Sequence, residues 1–164
     1  DSHKIFLEEI MELFGDIDLR KYAGEWIEMA RKPNFFQREC VLSKAIYYDI
    51  EYKNGKAYRL KVKNSCKKEN GKISSVEGKA KIVTADHRNL SVSFSFLTDW
   101  GSKVNYQVLY IDQLYTRAIV GSPNKKYLWI LSRDFLAVDE VEDLLSRARE
   151  YGYNTEDVIV SKEA

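Results

Sequence analysis

Short segments in which apolar and polar residues alternate follow one another between residues 25 and 132. Tyr58, Leu60 and Val62, for example, alternate with arginine and lysine. Such alternation is typical of strands with one face toward a core and the other toward water. Turn signals such as Asn54-Gly55 separate the segments. The pattern predicts eight antiparallel strands with hairpin-length connections.

Helical spacing of apolar residues appears in two places. One stretch spans residues 4–14 and is followed by Gly15, and the other spans residues 139–151 and is followed by Gly152. A short apolar run at residues 158–160 predicts a final strand. A single long helix after eight strands favours a closed up-and-down barrel with the helix outside over a two-sheet sandwich.

The whole chain is expected to form one all-β domain with a small extension. Its 164 residues fit one domain that buries a sizeable core. We assign residues 1–15 to an N-terminal helical extension and residues 16–164 to a single barrel domain. The net charge of +1 gives no general attraction to nucleic acid, so no nucleic-acid partner is expected. The chain contains no apolar run near the roughly 20 residues of a membrane-spanning helix.

The two cysteines, Cys40 and Cys66, lie at similar distances on either side of the Asn54-Gly55 turn. Residues so placed approach each other in an antiparallel pair, which favours a disulfide over two buried, reduced thiols. A disulfide implies an oxidising compartment. The expected location is therefore extracytoplasmic: secreted, periplasmic or associated with an outer membrane.

An aromatic residue and a cation are expected to close one end of the barrel. One predicted strand begins at Trp26 and another ends at Arg133. A guanidinium over an indole ring contributes roughly 0.5–2 kcal/mol. We therefore predict that Trp26 and Arg133 form a structural plug.

Three short motifs occur in order: Gly24-x-Trp26, Asp112-Gln113-Leu114-Tyr115 and Leu131-Ser132-Arg133. With them the chain resembles the lipocalins, and among these the bacterial outer-membrane lipocalin and apolipoprotein D branch. The likeness covers about residues 16 to 162. It implies an eight-stranded antiparallel calyx that holds a small apolar molecule. The chain has no cysteine after Cys66, so the disulfide scheme of animal lipocalins does not carry over.

Alternation assigns a set of residues to the barrel interior, where they would either pack as a core or contact a ligand. Several tyrosines in this set favour a ligand cavity, since a packed apolar core rarely contains so many hydroxyls. Phe35 and Phe36 lie on the loop that, in the family, overhangs the open end of the barrel. They would form either an apolar entrance for an acyl chain or an anchor that holds the loop on the barrel. The candidate ligand-binding residues are Ile46, Tyr48, Tyr58, Leu60, Val62, Val76, Val92, Phe94, Tyr106, Val120, Trp129, Leu131, Phe35 and Phe36.

The expected function is binding and transport of a fatty acid, lysophospholipid or similar lipid by a monomer or weak dimer. The only histidines are His3 and His87, and no catalytic, metal or cofactor motif is present, so no enzyme activity, metal or cofactor is expected. The alternatives are a lipocalin-fold isomerase or synthase that uses a cavity-facing cysteine, and a ligand-free, membrane-associated interaction module.

Lysines are concentrated on the third and fourth predicted strands. They would either attract anionic lipid head groups near the barrel mouth or form a solubilising face. These lysines are Lys61, Lys63, Lys67, Lys68, Lys72, Lys79 and Lys81.

Overall fold

A computed structural model describes residues 1–94 and 103–163. The strands are β1 (Gly24–Arg31), β2 (Cys40–Lys53), β3 (Lys56–Lys68), β4 (Ile73–Ile82), β5 (Asn89–Phe94), β6 (Tyr106–Ile111), β7 (Arg117–Gly121), β8 (Leu128–Ser132) and β9 (Ile159–Val160). The α-helices are α1 (Ser2–Phe14), α2 (Leu19–Tyr22) and α3 (Val138–Glu150), and a 3₁₀ turn covers Phe35–Gln37. The sequence also predicts a strand position at Phe96 and a turn at residues 99–102, and both lie outside the described residues.

The first eight strands form a closed antiparallel barrel. Each strand pairs with the next along the chain, and β1 closes the barrel by pairing with both β2 and β8. Strand β9 adds two residue pairs to the end of β1. The β2–β3 turn consists of Asn54 and Gly55, both with positive φ, as a tight two-residue hairpin turn requires. The predicted fold class, an all-β up-and-down barrel with a helix outside, is confirmed.

Apolar residues form one cluster inside the barrel and a second outside it. On β7 and β8, Val120 and Leu131 point inward, whereas Ile119 and Ile130 belong to the outer cluster. Helix α3 covers that outer face with Val141, Leu144, Leu145 and Ala148. Both faces of these strands are therefore buried, which explains their nearly continuous apolar sequence.

Arg88 attaches helix α1 to the barrel through its guanidinium. Its guanidinium donates hydrogen bonds to the carbonyl oxygens of Met11, Glu12 and Gly15 at 2.6–3.0 Å, which satisfies acceptors at the helix C-terminus. Leu13 packs against the outer apolar cluster, whereas the other large apolar side chains of α1 remain exposed. The predicted N-terminal helix is present, and the division between extension and barrel at residue 15 stays a prediction.

The closed end of the barrel is built around Trp26 and Arg133. The Arg133 guanidinium lies 3.7 Å from the centre of the fully buried Trp26 ring. Gly24 has a φ of 100°, and a Cβ there would lie 3.4 Å from Arg133 Nη1. The guanidinium also donates hydrogen bonds to the carbonyl oxygens of Lys21, Tyr22, Ala23, Glu25 and Tyr115. The predicted contact between ring and cation is thus present.

Candidate functional site

The barrel is not filled by side chains. A cavity of about 280 Å³ opens at the end opposite Trp26. This volume is near the lower limit of the roughly 300–1,000 Å³ typical of small-molecule sites. The predicted ligand-binding residues that line it are Phe35, Phe36, Val62, Val76, Val92, Phe94, Tyr106, Val120, Trp129 and Leu131. Leu60 is buried in the inner core without lining the cavity.

The prediction that Ile46 and Tyr48 face the interior is wrong. Ser43, Ala45 and Tyr47 are the inward residues of this part of β2. The strand then bulges between Tyr48 and Glu51, where Asp49 adopts a φ of 51°. A bulge shifts the alternation by one residue, so Ile50 returns to the interior although Tyr48 points outward.

Tyr58 was also predicted to point inward, and it is 38% exposed. Arg59 pairs with Glu51 and Ala57 pairs with Tyr52, so Tyr58 is the extra, unpaired residue of a bulge in β3. Its ring lies outside the barrel, 5.3 Å from the Arg59 guanidinium. The bulge in β3 explains the wrong prediction for Tyr58, whereas the bulge in β2 explains why Ile50 faces the interior although Ile46 and Tyr48 do not.

Three tyrosines meet below the cavity, and alternation identified only Tyr106 among them. The Tyr106 hydroxyl donates a hydrogen bond to the Tyr47 hydroxyl at 2.9 Å, and it also bonds the Tyr22 hydroxyl. Burial raises the pKa of all three groups, which stay neutral. The three hydroxyls are hydrogen-bonded to one another. Tyr47 and Tyr106 therefore present their rings to the cavity that they line.

A polar network lies beneath the 3₁₀ turn that overhangs the mouth. The Gln37 side-chain nitrogen donates to a Glu28 carboxylate oxygen at 2.5 Å, and its oxygen accepts from Trp129 Nε1 at 3.0 Å. Arg31 donates to the carbonyl oxygens of Gln37 and Cys40 at 2.6 and 2.9 Å. These bonds fix the turn over the cavity. Glu28 follows Trp26 by two residues and so shares its strand face, but no sequence motif assigns this carboxyl group to a site.

The cavity rim contains the predicted disulfide between Cys40 and Cys66, which is confirmed, with a Cα–Cα distance of 5.3 Å. Both cysteines line the cavity, and neither is a free thiol. The Arg38 guanidinium lies 4.7 Å from the centre of the Phe35 ring, which is 73% exposed. A rim of this kind combines an exposed apolar surface with positive charge.

Within the described residues, no group of three or more His, Cys, Asp or Glu side chains could hold a metal ion. None of the helices in the described ranges has the length and apolar character needed to cross a membrane.

Comparison with known proteins decides the family. The family model for the lipocalin-like domain matches residues 17–163, nearly the whole barrel and its C-terminal helix. The chain is a lipocalin. Members of this family bind small hydrophobic ligands and are generally binding or transport proteins.

Several named lipocalins are similar in sequence to this one. Temperature-induced lipocalin-1 of Arabidopsis thaliana is 33% identical over 150 residues, which cover 88% of this chain and 78% of that protein. Outer membrane lipoprotein Blc of Escherichia coli K12 is 33% identical over 141 residues, 85% of this chain and 75% of that protein. A putative lipocalin of Acanthamoeba polyphaga mimivirus is 40% identical over 124 residues, 71% of this chain and 67% of that protein.

Solved structures share the fold of this lipocalin. Insecticyanin of Manduca sexta superimposes with a TM-score of 0.65 at 23% identity, covering 93% of this chain and 84% of its own. The siderocalin Ex-FABP superimposes with a TM-score of 0.60 at 16% identity, covering 88% of this chain and 96% of its own. These neighbours show the barrel architecture.

Proposed function

We propose that this lipocalin binds and carries an acyl lipid, such as a fatty acid or a lysophospholipid, in its barrel cavity. The observation that carries the proposal is the open cavity of about 280 Å³ with largely apolar walls. Transfer of an acyl chain from water into such a site contributes about 0.8 kcal/mol per buried methylene. The largely apolar walls of the cavity suit an acyl chain better than a compact polar metabolite.

The proposed binding residues are the apolar and aromatic groups that line the cavity. Val62, Val92 and Leu131 form the inner wall, while Phe35 and Phe36 stand at the entrance. Tyr106 and Trp129 have their polar atoms already bonded to protein, so their rings are available for contact with a chain. Val76, Phe94 and Val120 complete the set.

Displacement of a bound fluorescent fatty acid by unlabelled palmitate or lysophosphatidylcholine tests the proposal. We expect saturable uptake with one site per barrel. Val92→Phe fills the cavity and should abolish uptake, whereas Ser93→Phe, on the opposite face of the same strand, should leave it unchanged. Val62→Phe serves as a second filled variant, and circular dichroism checks that each variant folds. Uptake that survives in folded, filled variants would refute the proposal.

The structure gives little support to the two alternatives. An isomerase or synthase that uses a cavity-facing cysteine would first need reduction of the Cys40–Cys66 bond, because both sulfurs are paired. An interaction module with a filled barrel is at odds with the cavity.

We also propose an extracytoplasmic location with contact to a membrane surface. The disulfide and the similarity to outer membrane lipoproteins support the location. Phe35 and Ile73, 73% and 69% exposed, support the contact, since they lie at the mouth with Lys67, Lys68 and Lys72 nearby. Such a mouth could receive a lipid from an anionic bilayer.

A further inference from the structure

Three polar side chains from neighbouring strands form a strip across the cavity wall, which we call the polar strip: Glu28 of β1, Ser43 of β2 and Asn64 of β3. Glu28 and Ser43 are direct partners in the β1–β2 pairing. Asn64 lies opposite Ala45, two residues along β2 from Ser43 and on the same face. Ser43 is also the direct pairing partner of Cys66, so the polar strip begins beside the disulfide at the rim and extends toward the tyrosines below.

The hydrogen-bonding capacity of the polar strip is only partly used. Gln37 donates one bond to Glu28, and within the described residues no cation lies within 4 Å of that carboxyl group. In the same part of the chain, Ser43 Oγ and the Asn64 side-chain oxygen are buried without a hydrogen-bond partner. Buried polar atoms are nearly always paired, because an unpaired atom has lost its water without compensation. Ser43 and Asn64 both line the cavity, so a ligand group that reaches the polar strip can supply the missing partners.

The charge of the wall restricts the ligand group that fits. Among the described residues, the basic groups that line the cavity are Arg38 and Lys68, and both belong to the rim. Arg31, the buried cation whose charge acts on Glu28, does not line the cavity. A carboxylate at the polar strip would therefore be buried beside Glu28 without a positive partner on the cavity wall, which is strongly unfavourable. An alcohol hydroxyl carries no charge; it can accept a hydrogen bond from Ser43 Oγ and donate its one hydrogen to the Asn64 oxygen or to Glu28.

We propose that the polar strip recognises an uncharged hydroxyl group next to the acyl chain, such as the free glycerol hydroxyl of a monoacylglycerol or a lysophospholipid. The strip thereby selects against the free carboxylate of a fatty acid at this depth. This inference rests on the proposed function, because it specifies which acyl lipids the same cavity prefers.

The test compares ligands that share one acyl chain. Monolauroylglycerol, lauroyl lysophosphatidylcholine and lauric acid each displace N-phenyl-1-naphthylamine, a fluorescent apolar probe, from the wild-type protein near neutral pH. We expect both glycerol lipids to bind about tenfold more tightly than laurate. Their hydroxyl gains one hydrogen bond at the polar strip, and they do not bury a carboxylate there. The two glycerol lipids separate recognition of the hydroxyl, which they share, from recognition of the phosphate.

Variants of the polar strip then assign the preference to its residues. Ser43→Ala and Asn64→Leu should each weaken the binding of both glycerol lipids about fivefold or more, and each should change the binding of laurate little. Glu28→Gln keeps an acceptor for Gln37 and removes the acid, so it should tighten laurate binding. Ser93→Ala, a serine on the outer face of β5, is the matched control and should change neither.

The outcomes separate this inference from the proposed function. If laurate and both glycerol lipids displace the probe equally well, the polar strip does not select a hydroxyl, although the cavity still carries lipids. If only lysophosphatidylcholine binds tightly, the phosphate is recognised and the inference is wrong. If no lipid displaces the probe, the proposed function itself fails.

Discussion

Arg133 shows how much of the closed end depends on the shape of a single side chain. Its planar guanidinium stacks on Trp26 and at the same time reaches carbonyl oxygens from the α2 region, β1 and the β6–β7 turn. A lysine ammonium has the same charge, but it lacks the planar surface and the several coplanar N–H donors of a guanidinium. Charge alone therefore does not explain why this position is an arginine.

Arg133→Lys should lower the free energy of unfolding by about 1.5–3 kcal/mol, because several charged hydrogen bonds and the ring contact are lost together. Urea unfolding followed by tryptophan fluorescence measures the change. Arg117→Lys is the matched control, since Arg117 bonds one carbonyl and pairs with Glu140 at 3.6 Å, and it should cost less than about 1 kcal/mol. Equal effects of the two substitutions would show that the stacked geometry is not important.

Glu28 gives the stability of the protein a predictable pH dependence. Burial raises the pKa of its carboxyl group above the ordinary value of 4.5, against the lowering effects of Gln37 and Arg31. The folded state then keeps this proton to a higher pH than the unfolded state does. Its contribution to stability is fully present below pH 4.5 and is lost as the pH rises through the folded-state pKa.

Glu28→Gln should therefore become more stable relative to wild type as the pH rises from about 4 to about 8. Guanidinium unfolding at several pH values measures the difference in free energy of unfolding between the variant and the wild type. The other titrating groups are the same in both proteins, so their contributions cancel in this difference. Glu69→Gln, at an exposed position in the β3–β4 turn, is the matched control. A stability difference that stays constant with pH would mean that Glu28 titrates alike in both states.

At the scale of single elements, the long β2–β3 hairpin shows which structural features a sequence pattern predicts and which it does not. The Asn54-Gly55 turn and the cysteine spacing predicted the hairpin and its disulfide, because both depend on local chemistry. The interior face of β2 could not be predicted, because Ala45 and Tyr47 are apolar like Ile46 and Tyr48 on the other face. The bulges at Asp49 and Tyr58 depend on strand pairing and have no clear local signal.

The disulfide fastens this hairpin at the cavity rim. Reduction should lower the free energy of unfolding by about 2–4 kcal/mol, because the bond restricts an unfolded chain over a separation of 26 residues. Thermal unfolding with and without dithiothreitol measures the effect. The Cys40→Ser/Cys66→Ser double variant should match the reduced protein and show no response to the reductant. A stability that is the same in all four samples would contradict the prediction.

At the scale of the whole molecule, the apolar residues must be divided between the barrel interior and the surface beneath α3. The sequence predicted a helix outside the barrel, but it could not show which strands the helix covers. Neighbours such as Ile119 and Val120 are equally apolar and point to opposite sides. The polar members of the cavity wall, Ser43 and Asn64, were missed because polar residues on a strand are normally assigned to the solvent face.

The apolar, basic mouth should direct the whole molecule toward anionic membranes. Phe35→Ser combined with Ile73→Ser should weaken binding to vesicles of phosphatidylcholine and phosphatidylglycerol by at least about tenfold, since two exposed apolar anchors are lost. Vesicle co-sedimentation measures this, and added salt should weaken the wild type as well. Val83→Ser, at an exposed apolar position near the closed end, is the control. Equal partitioning of all three proteins would exclude a role for the mouth.

A bound lipid should stabilise the entire barrel, because the cavity exists only in the folded state and draws its walls from nearly every strand. At a free lipid concentration about 100 times the Kd, the gain is about 2.7 kcal/mol. For a domain of this size that gain corresponds to a rise in Tm of about 5–10 °C. Differential scanning calorimetry with the lipid that displaces the probe best measures the shift, and Val92→Phe with the same lipid should show almost none. A lipid that binds the wild type but leaves its Tm unchanged would have to bind outside the cavity, because only a ligand that distinguishes the folded barrel from the unfolded chain can shift their equilibrium.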